Sequence, residues 1–184
     1  MVMTEIGKLK YDSVAMLLHW VTALLIIFML VFGEELIEAA EHGDGGTFPA
    51  SVHVSVGVAI LALTLLRVFW RLTHAAPPLP VTMKSWETML SKLTHFAFYA
   101  LLIGIPLTGW LAFGDFVREE PAMAFLKVFG LFALPSAPDV GEAAKEIHEI
   151  GSNAMIVLVV LHVLAALKHQ FVDDDGIFRR MLPH

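Results

Sequence analysis

Histidines inside long apolar stretches are the residues of this sequence whose type and spacing could do chemistry. His19 lies within the first apolar stretch, His53 begins the second, and the last carries both His148 and His162. Ionisable side chains are costly in hydrocarbon and are functional candidates there by default. Fourteen helical residues rise about 21 Å and complete almost four turns, so the last stretch presents His148 and His162 on one face at two depths. We therefore predict two stacked sites.

Each predicted site holds imidazoles from different helices, with no carboxylate or thiolate beside them. The layer farther from the two ends of the chain, which we call outer, consists of His53 and His148. The inner layer, nearer to the chain ends, consists of His19, His162 and, at a similar depth, His95. Protein zinc sites use three or four ligands, whereas two facing imidazoles match the axial positions of a b-type haem iron. The spacing therefore predicts two b-type haems and leaves the choice between His19 and His95 open.

Two glycines lie one helical turn from a predicted ligand. Gly57 follows His53, and Gly151 follows His148. A flat macrocycle needs clearance beside its ligand, so we predict that both glycines line the bound cofactor. The alternative is that they only let membrane helices pack closely.

The composition indicates which elements must position these side chains. Of 184 residues, 57% are hydrophobic and only 16% are charged, which is far more apolar than a soluble domain. We predict an all-α integral membrane protein, with residues 1–184 forming a single four-transmembrane-helix bundle and a short interfacial helix around residues 122–129. Four stretches are long enough to cross about 30 Å of hydrocarbon: residues 14–33, 51–71, 91–113 and 147–170, all approximate.

The absence of cysteine excludes several kinds of redox site. It rules out disulfides, thiolate metal sites and covalent attachment of haem through CxxCH. The formal net charge of −6 and the lack of a basic stripe argue against a nucleic-acid partner.

Basic residues predict the orientation. Nine of the twelve Lys and Arg residues fall on the side of the two chain ends, and the other side has Arg118, Lys127 and Lys145. Positive charge marks cytoplasmic loops, so we predict that both termini are cytoplasmic.

Segments across the chain carry a family resemblance. They are "LLHWVTALLI", "VHVSVGVAILALTLLRVFWRL" with the following "PP", "LTHFAFYALLIGIPLTGW", "IHEIGSNAMIVLVVLHVLAALKHQF" and the closing "FRRMLP". This pattern resembles the bacterial cytochrome b561 family, which belongs with the cytochrome b subunits of nickel–iron hydrogenases and formate dehydrogenases. The resemblance implies a multi-pass protein of the bacterial inner membrane with two haem b groups. It pairs His19 with His162 at the inner haem iron, and His53 with His148 at the outer one.

The resemblance also implies a function. Stand-alone members of the family include a class that oxidises superoxide on the periplasmic side and reduces ubiquinone in the membrane. We therefore expect an oxidoreductase that transfers electrons across the membrane to a quinone, with superoxide or another periplasmic donor as partner and lipid around it. One feature departs from this expectation, because an acidic outer face repels the superoxide anion: Glu34, Glu35, Glu38, Glu41, Asp44, Glu119, Glu120, Glu142 and Glu146.

Three residues at the inner depth are predicted to serve the quinone or a haem propionate: His95, Arg67 and Lys92. Arg67 lies fourteen residues after His53 and so shares its face. Its guanidinium would pair with a propionate or extend to the lipid headgroups. His95 is the predicted proton donor to the quinone, with Lys92 or His169 as alternatives.

Three other functions are compatible with parts of this pattern. The chain could be a cytochrome b anchor that passes electrons from a periplasmic dehydrogenase or hydrogenase to quinone. A haem-free, histidine-lined metal or proton transporter would need a hydrated path, and the predicted helices have few polar residues at mid-depth. A purely structural membrane protein would leave the paired histidines unexplained.

Overall fold

Four long helices form the fold of the residues that the structure describes. The structure is a computed structural model that describes residues 10–80, 83–119 and 138–182, with residues 113–119 and 138–139 described by their backbone alone. Among the described residues, a 3-10 helix, Phe178–Met181, follows the long helices. The four long helices are α1 (Ser13–Glu41), α2 (Phe48–Thr73), α3 (Ser85–Glu119) and α4 (Pro138–Phe171).

The prediction of an all-helical protein with four membrane-crossing helices is confirmed. All four helices are long and apolar enough to span a bilayer, over Ser13–Glu41, Phe48–Thr73, Ser85–Ala112 and Val140–Phe171. They extend beyond the predicted stretches because hydropathy marks only the part suited to hydrocarbon, whereas backbone hydrogen bonding continues the helix into polar sequence. The interfacial helix predicted around residues 122–129 lies outside the described residues.

The connection between α1 and α2 is a short glycine-rich turn. Gly43, Gly45 and Gly46 have φ angles of 78°, 80° and 64°. Side chains rarely adopt such positive φ values, and glycine does so without steric cost. The turn therefore reverses the chain within residues 42–47, and α2 runs back alongside α1.

The buried core has one residue from each helix at mid-depth: Ile26, Ile60, Leu102 and Met155. Met155 is seven residues from both His148 and His162, so the three side chains share one face of α4. The core therefore forms an apolar layer between the two sets of histidines.

The two ends of the chain meet at one end of the bundle, which we call the chain-end face. The Trp20 indole donates to the Met181 carbonyl at 2.6 Å, and the Tyr11 amide donates to the Arg180 carbonyl. The C-terminal segment thus packs against the start of α1. Below, "inner" and "outer" mean nearer to and farther from this face.

Asp12 caps α1 at the chain-end face. Its carboxylate accepts from the Ala15 amide at 2.9 Å and from the Trp70 indole at 3.0 Å. Partial burial raises the pKa of Asp12, but these hydrogen bonds outweigh burial and place the pKa below its usual value. The cap therefore joins the start of α1 to the end of α2.

Replacing Asp12 with alanine is expected to destabilise the fold by about 1 kcal/mol, because helix caps of this type contribute about that much. A folded-state pKa below the unfolded value means that the charge stabilises the fold above about pH 4 and that this is lost at lower pH. Thermal unfolding in detergent at several pH values measures both effects. Asp12→Asn is the control: it should keep most of the cap and lose the pH dependence, and an Asp12→Asn variant that unfolds like the alanine variant would contradict the capping role.

Candidate functional site: two layers of histidines

His53 of α2 and His148 of α4 face each other in the outer layer. Their ring centroids are 6.0 Å apart and the ring planes are inclined by 45°. Both side chains are half-buried. The structure thus brings together the two residues that the sequence assigns to the outer layer.

Backbone carbonyls of neighbouring helices hold both outer rings. The Nδ1 of His53 lies 2.9 Å from the Gly33 carbonyl of α1, and the Nδ1 of His148 lies 2.8 Å from the Ile105 carbonyl of α3. A carbonyl can only accept, so in both rings Nδ1 carries the hydrogen. In the neutral imidazole the lone pair is then on Nε2, the nitrogen left free to bind a metal.

A glycine permits the close approach of the His148 ring. A Cβ at Gly109 of α3 would lie 3.0 Å from Cε1 and Nδ1 of His148, whereas one at Gly33 would lie at an ordinary contact distance, 3.6 Å from Cε1 of His53. The sequence pattern singled out neither Gly109 nor Gly33. No sequence signal marks a carbonyl acceptor, because every residue has one.

The two glycines that the sequence did select have different surroundings. A Cβ at Gly57 would meet nothing within 4 Å, so there is open space beside α2 one turn from His53. At Gly151 a Cβ would lie 2.9 Å from Cγ1 of Ile105, so this glycine lets α4 approach α3. Their role beside a cofactor stays a prediction.

The inner layer contains three rings centred on His162 of α4. His19 of α1 lies 6.4 Å from His162 between ring centroids, and His95 of α3 lies 6.2 Å from it. Phe98 packs edge-on against the same ring at 5.2 Å. His162 can therefore pair with either neighbour.

His19 and His95 differ in their surroundings. His19 is half-buried, and its Nδ1 is buried without a hydrogen-bond partner among the described residues. His95 is exposed, and its Nδ1 lies 2.7 Å from the Ser91 carbonyl of its own helix. An enclosed ring suits a fixed ligand, and an exposed ring suits contact with a diffusing substrate.

Arg67 of α2 adds a cation to the inner layer. Its guanidinium lies over the Tyr99 ring at 5.9 Å from the centroid and within electrostatic reach of His19, His95 and His162. Among the described side chains, no carboxylate lies within salt-bridge distance of it. A half-buried guanidinium without a carboxylate beside it among the described side chains is suited to bind an anionic group.

The remaining candidates lie closer to the chain-end face. Lys92 is exposed on α3. His169, seven residues after His162, contacts Asp175 at 2.7 Å and Asp173 at 3.1 Å. Lys168 also forms an ion pair with Asp173. The structure therefore places His169 in a surface cluster of ion pairs outside the inner layer.

The donor set fits two bis-imidazole haems. Two metal–nitrogen bonds of about 2 Å and half a ring on each side place imidazole centres about 6 Å apart, close to the spacings in both layers. Buried polar atoms rarely lack a partner, and three here have none among the described residues: His19 Nδ1, Thr64 Oγ1 and Trp110 Nε1. Orphaned atoms of this kind are expected where a bound group belongs.

Comparisons with known proteins identify the family. A family described as prokaryotic cytochrome b561 matches residues 10–184. Cytochrome b561 homolog 2 of Escherichia coli is 30% identical over 94% of this chain and 91% of its own length. Cytochrome b562 of Cereibacter sphaeroides is 28% identical over 94% of both chains, and the probable superoxide oxidase CybB of Yersinia pestis is 25% identical over 95% of this chain and 96% of its own length.

Proposed function

The chain belongs to the prokaryotic cytochrome b561 family, and from this premise we propose that it is a diheme oxidoreductase that transfers electrons across the bacterial inner membrane to a quinone. The outer histidine pair is the observation that carries the proposal. Its rings are 6.0 Å apart, and each is held through Nδ1 by a carbonyl that leaves Nε2 free. A structural histidine at a helix contact would have no need of this shared geometry.

The orientation follows from charge. Arg71, Lys84, Lys92 and Arg179 lie at or near the chain-end face, which we assign to the cytoplasm by the positive-inside rule. Both termini are then cytoplasmic, and the outer layer is near the periplasm.

The ligands divide between the layers. His53 and His148 would hold the outer haem, and His162 with His19 the inner one. When bound, each haem supplies a one-electron iron couple. The apolar layer of Ile26, Ile60, Leu102 and Met155 excludes water between the layers, and Arg67 would balance the charge of an inner propionate.

Reduction of a quinone at the inner layer requires two electrons and two protons per molecule. Ubiquinone is the proposed substrate. His95 is the proposed proton donor: its exposed ring is fixed through Nδ1, so Nε2 can take up a proton from the chain-end side and, from the imidazolium form, pass it to the quinone. Lys92, one turn closer to the cytoplasm on the same helix, would replenish it or bind the quinone headgroup.

Superoxide is the proposed outer electron donor, supported by the similarity to the probable superoxide oxidase of Yersinia pestis. The outer ends of the helices expose many acids and, among the described side chains there, one lysine, Lys145. This acidic surface favours a second candidate, a protein donor with a basic docking face, as an anchor subunit would have. The exposed acids are Glu34, Glu35, Glu38, Glu41, Asp44, Glu142, Glu146 and Glu149.

Salt dependence separates the two donors. The acidic face repels superoxide, so screening between about 0.01 M and 0.15 M salt should raise the superoxide-driven rate of quinone reduction. A basic protein donor is attracted, and its rate should fall over the same range.

The experiment measures ubiquinone reduction by purified protein of known haem content, with superoxide or a basic redox protein as donor. Superoxide consumed without quinone reduced would contradict the proposed quinone site. A chain without haem would contradict the function as a whole.

A further inference from the structure

We infer that the chain holds its outer haem at a lower reduction potential than its inner haem, so that its own side chains favour electron flow toward the chain-end face. This inference rests on the proposed function. It concerns the different surroundings of the two histidine layers, which the family assignment does not specify.

The surroundings of the outer layer would favour the oxidised, ferric state of its haem iron. His53 and His148 both donate from Nδ1 to a carbonyl, at 2.9 and 2.8 Å. A hydrogen bond at the far nitrogen makes an imidazole a more basic ligand. A more basic ligand stabilises the ferric ion, which carries the greater positive charge, and so lowers the potential.

The surroundings of the inner layer would favour the reduced, ferrous state of its haem iron. The Nδ1 of His19 has no acceptor among the described residues, so this ligand lacks the support that both outer ligands have. Arg67 places a cation within electrostatic reach of His19 and His162. A nearby positive charge favours the state with one more electron, including when it offsets the charge of a propionate.

The two effects act in the same direction. With both haems bound, an electron lost by the outer one would be gained by the inner one, and no proton would be needed for that exchange. Outer partners of metal ligands typically change metal affinity by 10–100-fold. On that scale we expect the electron to prefer the inner site by about tenfold, which for a one-electron couple is about 59 mV.

Two single-haem variants test the order directly. His162→Ala should keep the outer haem and His148→Ala the inner one, and optical redox titration gives the potential of each. We expect the lower potential in His162→Ala. The reverse order, or equal potentials, overturns the inference while leaving the diheme assignment intact.

Point variants in the complete protein test the two causes. Gly109→Ala should push the His148 ring away from the Ile105 carbonyl and raise the outer potential. Gly104→Ala is the matched control on the same helix, because a Cβ there meets nothing within 4 Å. Equal outer potentials in these two variants would remove the carbonyl contact as a cause.

Arg67→Gln should lower the inner potential and leave the outer one unchanged. Its control is Arg71→Gln, one turn away on α2, where the guanidinium is exposed and lies over Tyr11. An inner potential that is the same in both variants would remove Arg67 as a cause. Failure of wild-type protein to bind two haems would instead be a failure of the proposed function, and haem content therefore has to be measured first.

Discussion

Protein with His162→Ala is expected to retain one haem per chain instead of two. His162 is the ring common to both possible inner pairs, with His19 at 6.4 Å and His95 at 6.2 Å. Both inner ring pairs therefore lose a member without His162, and we expect that the inner haem is no longer held. The outer pair lies across an apolar layer and has its own hydrogen bonds, so it should be unaffected.

The choice between His19 and His95 follows from the same measurement. His19→Ala should also halve the haem content, because its enclosed ring is the better fixed ligand. His95→Ala should leave two haems, since its ring is exposed and held by its own helix. Haem per chain, from the pyridine hemochrome assay, decides between them.

His74→Ala is a suitable control for both variants. His74 stacks on Trp70 at 3.8 Å, beyond the end of α2 and outside both layers. Two haems in His162→Ala would refute the layered assignment. One haem in His95→Ala with two in His19→Ala would show that the inner ligand is His95 of α3 and not His19 of α1.

Much of the fold could be predicted from the sequence because two periodic signals dominate it. Apolar stretches of about twenty residues fix the number and order of the helices, and the fourteen-residue spacing of His148 and His162 fixes their common face. The depth of His53 within α2 then identifies its partner. These features depend on spacing along one chain, which a sequence records directly.

The supports of the histidine rings could not be predicted in the same way. The Gly33 and Ile105 carbonyls depend on how neighbouring helices are rotated, and that rotation is decided by many side chains packing together. For the same reason, Gly151 could not be recognised as the point where α4 approaches Ile105. The choice between His19 and His95 was open because both lie at the inner depth, and only their burial separates them.

His95 lies at the start of a polar stripe that leads to the chain-end face. Ser91 is one turn below it on α3, and Glu87 one turn below Ser91, where its carboxylate accepts from Lys168 at 2.9 Å. Glu87 contacts Lys168, and His95 contacts His162. Residue numbers therefore rise along α3 as they fall along α4, so the two helices run antiparallel side by side over this stretch. The stripe therefore reaches from the surface to the depth of the inner layer, as a proton supply for that layer requires.

His95→Ala is expected to lower quinone reduction by about 10²–10⁴-fold, the usual contribution of a positioned general acid. Both haems should remain, and the outer donor should still reduce them, because only the proton donor is lost. Steady-state quinone reduction, measured beside the rate of haem reduction, separates these steps. Lys92→Ala is the comparison on the same helix: Lys92 is proposed only to replenish His95 or bind the quinone headgroup, so its loss should lower the rate less, and a loss as large as in His95→Ala would assign the proton to the lysine. Loss of haem reduction in His95→Ala would show instead that the ring is a ligand, because a proton donor acts only after the electrons have reached the inner layer.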